Sequence, residues 1–132
     1  MNQKDFLNKK NKIAVVGVSA NRKKWGFKIY EELKSAGFSV YPINPKYKLI
    51  GQNTCYPDLE LLPEIPDVVI TIVSPKITAH IVKQCRKLGI KRVWMQPGSE
   101  SEESIKFCKH NNIELMHDAC FVVNCLHAGE KR

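Results

Sequence analysis

The sequence predicts an α/β fold: one doubly wound domain with about five parallel strands flanked by helices. Three observations predict it. Short β-branched runs alternate with stretches of helical period along the whole chain, and that alternation builds a parallel sheet covered on both faces. The apolar runs are continuous, as in strands buried on both sides. The 132 residues make one domain, read as residues 1–132 with a core from about 12 to 120, long enough to bury a core without disulfide staples.

Each element has its own signal. Ile13-Ala14-Val15-Val16 is a β-branched run closed by Gly17, the first strand. Trp25 to Ala36 repeats at helical period, with Gly26, Ile29, Leu33 and Ala36 on one face and Gly37 as its stop. Phe38 to Ile43 is the second strand, ended by Asn44-Pro45. The loop through Gly51 to Tyr56 has room for a short edge strand, and Leu59 to Leu62 for one helical turn. Asp67 opens the third strand, Val68 to Val73. Ser74-Pro75 then reads as an N-cap with proline in the first turn. The helix it starts runs to Leu88 with Ile77, Ile81, Cys85 and Leu88 on one face, and Gly89 ends it. Arg92 to Met95 is the fourth strand, with Gln96-Pro97-Gly98 as its turn. Ser99 and Glu102 have capping-box spacing for a helix to about Asn111, which puts Glu100, Glu102 and Glu103 in its first turn. Ile113 to Met116 is the fifth strand, and a short helix through Val122, Val123 and Leu126 is expected after it.

In such a sheet, ligands bind beyond the carboxyl ends of the strands at the switch point. That rule gathers Gly17 to Trp25, Asn44 to Lys48, Val73 to Thr78 and Gln96 to Gly98 at one site before any motif is weighed.

Charge and composition narrow the partners. The net charge of +8 favours a polyanionic partner. No recognition motif for nucleic acid accompanies it, so that class has charge alone behind it. No segment approaches the roughly 18 consecutive apolar residues of a membrane span. Met1 to Lys12 is polar and lysine-rich, without the apolar core of a signal peptide, which predicts a cytoplasmic protein and no membrane partner. Five cysteines, an odd number, then read as buried thiols.

The first strand–loop–helix unit, Val16-Gly17-Val18-Ser19-Ala20-Asn21-Arg22, resembles a dinucleotide fingerprint of the Rossmann type. The three glycine positions of that pattern hold Gly17, Ser19 and Arg22. Gly17 makes the tight turn, and amides at the helix start suit a phosphate. The third glycine, which lets helix approach strand, is missing. Nicotinamide sites place a carboxylate at the end of the second strand, where this chain has Asn44-Pro45-Lys46. Lys46, Lys48, Arg22, Lys23 and Lys24 make that edge basic, which fits a nucleotide with an additional ribose phosphate, the 3′-phosphate of coenzyme A or the 2′-phosphate of NADP.

From about Lys12 to Cys120 the chain resembles the small CoA-binding proteins related to the N-terminal domain of the succinyl-CoA synthetase α subunit. The stretches that carry the likeness are Ile13 to Ser19, Val40-Tyr41-Pro42-Ile43-Asn44-Pro45, Cys55-Tyr56, Ile72-Val73-Ser74-Pro75 and Val93-Trp94-Met95-Gln96-Pro97-Gly98. The resemblance implies a Rossmann-like domain whose cofactor is coenzyme A or an acyl-CoA. It gives Gly17, Val18 and Ser19 the diphosphate, and Asn44, Pro45 and Lys46 the ribose phosphate or the start of the pantetheine arm. Val73, Ser74 and Pro75 become an apolar shelf for adenine, and Gln96 and Gly98 border the outgoing pantetheine. Trp25 closes over the loop and Lys23 pairs with phosphate. It also implies a limit. The synthetase uses a second domain with a phosphorylated histidine, and none of His80, His110, His117 and His127 matches that segment, so no catalytic residue is expected.

The alternative is an NADP-dependent oxidoreductase, which shares the fold and the basic edge but wants a substrate domain and a proton donor. His117, Cys120, Cys125 and His127 are four potential metal ligands, but their spacing is not that of a standard zinc site, and no metal is expected. Cys55 and Cys120 default to structural thiols. A homodimer or an acyl-CoA enzyme as partner stays open.

Overall fold

The computed structural model describes residues 3–122. Its centre is a five-stranded parallel sheet of β1 (Lys12–Val16), β2 (Ser39–Ile43), β5 (Val68–Thr71), β6 (Arg92–Met95) and β7 (Glu114–Met116), in the order β2-β1-β5-β6-β7. The chain reverses its direction of travel across the sheet between β1 and β5, so the switch point lies there. A two-stranded antiparallel hairpin, β3 (Leu49–Ile50) with β4 (Asn53–Thr54), stands beside β2 and realises the expected edge segment.

Side-chain alternation along buried strands divides the core in two. Ile13 and Val15 of β1 point to the face covered by α2 (Trp25–Ser35), where they meet Ile29, Leu33 and Trp94. Ala14 and Val16 point to the other face, toward Ile81, Val82 and Cys85 of α3 (Pro75–Leu88) and Cys108 of α4 (Glu102–His110). The helices thus cover both faces, as the continuous apolar strands require.

Boundaries differ from expectation where backbone geometry rather than hydrophobicity decides them. The third strand stops at Thr71, although the Ile72 amide still donates to Val16 O at 2.8 Å, and Val73 leaves the sheet. Ser99 does not cap α4. Its side chain is buried and bonds Thr71 Oγ1, Thr71 O and Gln96 O, while Ser101 Oγ caps α4 by accepting from Ser104 N at 3.1 Å. Glu100 accordingly lies before the helix and accepts from Gly98 N. Ser74 occupies the N-cap position of α3 as expected, but its hydroxyl makes no capping bond.

The polar N-terminal stretch holds a turn of helix, α1 (Gln3–Phe6). Phe6 is fully buried and packs edge-on against Trp94, with ring centroids 5.5 Å apart. Phe121 meets the same indole at 4.9 Å, and Trp94 Nε1 donates to Ala119 O at 2.7 Å. Trp94 therefore fastens both ends of the described chain to the sheet. Of the expected C-terminal helix, Val123 and Leu126 lie outside the described residues. No helix among the described residues is long and apolar enough to cross a membrane.

Candidate functional site

The carboxyl ends of β1, β2 and β5 open into one cleft of about 480 Å³. Its lining joins Gly17 after β1, Asn44, Pro45 and Lys46 after β2, and Val73 after β5. Five residues expected from the sequence thus meet where the switch-point rule locates a ligand.

Gly17 turns the chain out of β1 with φ +108°, a conformation L side chains rarely adopt, and a Cβ there would lie 2.9 Å from Ile72 O. The close helix–strand approach that seemed to lack its glycine is supplied by Gly26. A Cβ on Gly26 would fall 2.3 Å from Gly17 O, so α2 rests directly on the turn. The glycine is present but displaced to the second residue of the helix, because the loop is longer than the usual fingerprint.

Side-chain turns shape that loop. Ser19 Oγ accepts from Asn21 N at 3.0 Å, and Asn21 Oδ1 accepts from Lys23 N at 3.0 Å. Ser19 Oγ also lies 3.4 Å from the Tyr47 hydroxyl, which ties the loop to the segment after β2. Asn44 makes a second tie. Its Nδ2 donates to Val18 O and its Oδ1 accepts from Lys46 N, each at 2.9 Å. The Val18 side chain is fully buried, so this residue offers the site its backbone alone.

The helices that follow β1 and β5 differ from α4. Neither α2, with Lys24 at its N-cap, nor α3 has a side-chain cap, whereas α4 does. Uncapped first-turn amides carry the positive end of the helix dipole and suit an anion. Lys23, Lys24, Lys46 and Lys48 are exposed and in no ion pair among the described residues. Arg22 lies over the Phe27 ring at 5.6 Å. Trp25, half exposed, is the first residue of α2.

Eight expected residues are not among those lining the cleft: Val18, Ser19, Lys23 and Trp25 of the loop and start of α2, and Ser74, Pro75, Gln96 and Gly98. Gln96 is buried, with Nε2 donating to Cys120 Sγ at 3.2 Å and Oε1 accepting from Phe121 N at 2.7 Å. It braces the segment after β7 rather than facing the opening. Gly98 is exposed in the adjoining turn at φ +93°. Pro75 faces a neighbouring groove between the starts of α3 and α4, and Ser74 is exposed beside it.

Other lining residues escaped the sequence reading. They are His80, Ile81 and Gln84 of α3, which face the cleft beside Ile77, an exposed residue inside the gathered segment Val73 to Thr78. The signal was present, since Ile77, Ile81 and Gln84 share a helix face, but period alone cannot tell core from cleft wall. Pro57 and Asp58 close the opposite side.

Burial explains the thiols. Desolvation pushes the Cys55 and Cys85 thiols up and the Cys108 thiol to about 11, so all three stay protonated near neutral pH and are poor nucleophiles. Among the described residues no three His, Cys, Asp or Glu side chains cluster as metal ligands, and Cys125 and His127 lie outside them.

Comparison with known proteins shows the family and the fold. The CoA binding domain family matches residues 11–125. ADP-forming acetate–CoA ligase II of Archaeoglobus fulgidus is 35% identical over 96 residues, covering 71% of this chain and 14% of the ligase. A conserved hypothetical protein from Pyrococcus furiosus superposes with a TM-score of 0.82 at 39% identity, covering 86% of this chain and 97% of that one. The dinucleotide-forming acetyl-coenzyme A synthetase 1 of Ca. Korarchaeum cryptofilum gives 0.70 at 28% identity, over 84% of this chain and 26% of the synthetase. The chain thus spans under a fifth of the Archaeoglobus ligase and nearly all of the small Pyrococcus protein.

Proposed function

We propose that the chain, which belongs to the CoA-binding domain family, binds coenzyme A or an acyl-CoA in the cleft beside Gly17. The observation that carries this reading is the meeting of Gly17, Asn44 and Lys46 around one opening, with Asn44 where a nicotinamide site would have a carboxylate. The backbone of Gly17 and Val18 and the Ser19 hydroxyl hold the diphosphate. Asn44 and Pro45 flank the ribose, and Lys46 and Lys23 answer phosphate. Val73 forms the adenine shelf inside the cleft, and Ser74 and Pro75 extend it toward the neighbouring groove. Trp25 covers the loop, and pantetheine leaves past Gly98, whose turn Gln96 holds from beneath.

No side chain in the cleft is assigned a bond-breaking role. The module carries or senses the cofactor on its own, or presents it to an acyl-CoA enzyme as partner. Its place is the cytoplasm, where CoA chemistry occurs.

Titration calorimetry with the Lys46→Ala variant tests the assignment. An exposed ammonium–phosphate contact contributes about 1 kcal/mol, roughly a fivefold loss of affinity. The loss should shrink with dephospho-CoA and at high salt, because the ribose phosphate is the partner and ions screen it. Equal binding of CoA by both proteins would remove Lys46 from the site. Binding of NADP but not CoA would replace the reading with an oxidoreductase.

A further inference from the structure

We propose that the outward stripe of α3 docks an acidic segment of a partner polypeptide. The inference goes beyond the CoA reading and does not depend on it, since the lysines that carry it do not line the cleft. Lys76, His80, Lys83 and Lys87 recur at helical spacing along α3, all exposed and on the side away from buried Cys85. Together they span about 16 Å of helix. α3 holds four cations and no acid, whereas α2 and α4 mix both signs. Lys83 and Lys87, four residues apart, repel each other, and a helix face that meets only water ordinarily intersperses acids among its lysines.

The chain itself supplies an acid at one end of the stripe, where Glu60 pairs with Lys87 at 3.0 Å. Lys76 and Lys83 make no ion pair among the described residues. They rim a groove of about 390 Å³ between the starts of α3 and α4, with Pro75 and Ala79 as its apolar part. Among the described residues that line it, one acid, Glu103, stands against two lysines and His80. Carboxylates on a polypeptide complement that charge, while a small side chain of the same segment meets Ala79. The lining has no Phe, Tyr, Trp or Arg on which the bases of a single-stranded nucleic acid would stack. His80 lines groove and cleft alike, so an occupant of the groove lies beside the cleft.

Fluorescence anisotropy with a labelled synthetic peptide of alternating glutamate and alanine tests the surface against two variants of equal net charge. Lys76→Glu with Lys83→Glu should weaken the peptide about tenfold or more, two exposed ion pairs being lost and reversed. Lys10→Glu with Lys91→Glu, exposed lysines outside the groove, should change it by less than about threefold, since screening at physiological salt confines the effect to near neighbours. Neither reversal in α3 should lower the melting temperature, because an acid at position 76 enters the first turn and one at position 83 stands four residues before Lys87. No binding by the wild type, or equal loss in the two variants, overturns the proposal. Oligouridylate bound more tightly than the peptide, with the same dependence on Lys76 and Lys83, overturns it in favour of a nucleic-acid face. Failure to bind CoA in a parallel titration would count against the cleft reading alone.

Discussion

Replacing Gly26 by alanine is expected to destabilise the protein by about 3 kcal/mol, the upper end for forcing an added group into a packed interior. For a domain of this size the melting temperature should fall by roughly 10 °C. Propensity alone argues the reverse, since alanine in place of a helical glycine gains about 0.5–1 kcal/mol. Contact decides the sign. The new methyl would stand 2.3 Å from Gly17 O, and backbone on both sides leaves no flexible tip to yield. Relief requires α2 to lift from the turn after β1, which also displaces the amides at its start. CoA affinity should therefore fall with stability. A circular-dichroism melt of the variant, followed by CoA titration below its transition, reads both. An unchanged or raised melting temperature would mean that helix and turn are not in direct backbone contact.

Trp94→Ala should cost still more, about 3–5 kcal/mol by the usual range for emptying a large aromatic site. The indole is fully buried, touches Phe6 and Phe121, and donates to Ala119 O. Its loss leaves a cavity, an unanswered carbonyl and two untethered segments. Denaturant unfolding should show the lower midpoint, and proteolysis should cut first before residue 12 and after residue 116. Trp94→Phe keeps ring contacts but loses the hydrogen bond, so it should fall between the two. A Trp94→Ala protein as stable as wild type would contradict the packing described.

Much of this architecture was readable before the structure, because buried parallel strands announce themselves. Ile13 to Val16 and Arg92 to Met95 have little freedom to be anything else once helices flank them. Helix starts were less legible. Ser99 has Glu102 at capping-box spacing, yet Ser101 is the cap, because Thr71 offers Ser99 a buried partner, a contact 28 residues away in sequence. Phe6 was hidden for a similar reason. One aromatic among lysines carries no periodic signal, and its burial depends on Trp94. At the site, the loops after β1 and β2 were found because glycine and proline turns mark them. The α3 wall beyond Thr78 was missed at His80, Ile81 and Gln84, since helical period alone cannot tell a core position from a cleft wall. Gln96 shows the opposite error. Its position after a strand marked it for the opening, but Cys120 and Phe121 claim its amide.

The most direct test of the central claim is a crystal structure of the protein with coenzyme A. The expected result places the diphosphate against the backbone of Gly17 to Ser19, the ribose phosphate near Lys46 and the adenine between Val73 and Pro45, inside the cleft at the ends of β1, β2 and β5. Coenzyme A bound elsewhere, or a cleft that stays empty at saturating ligand, would contradict it.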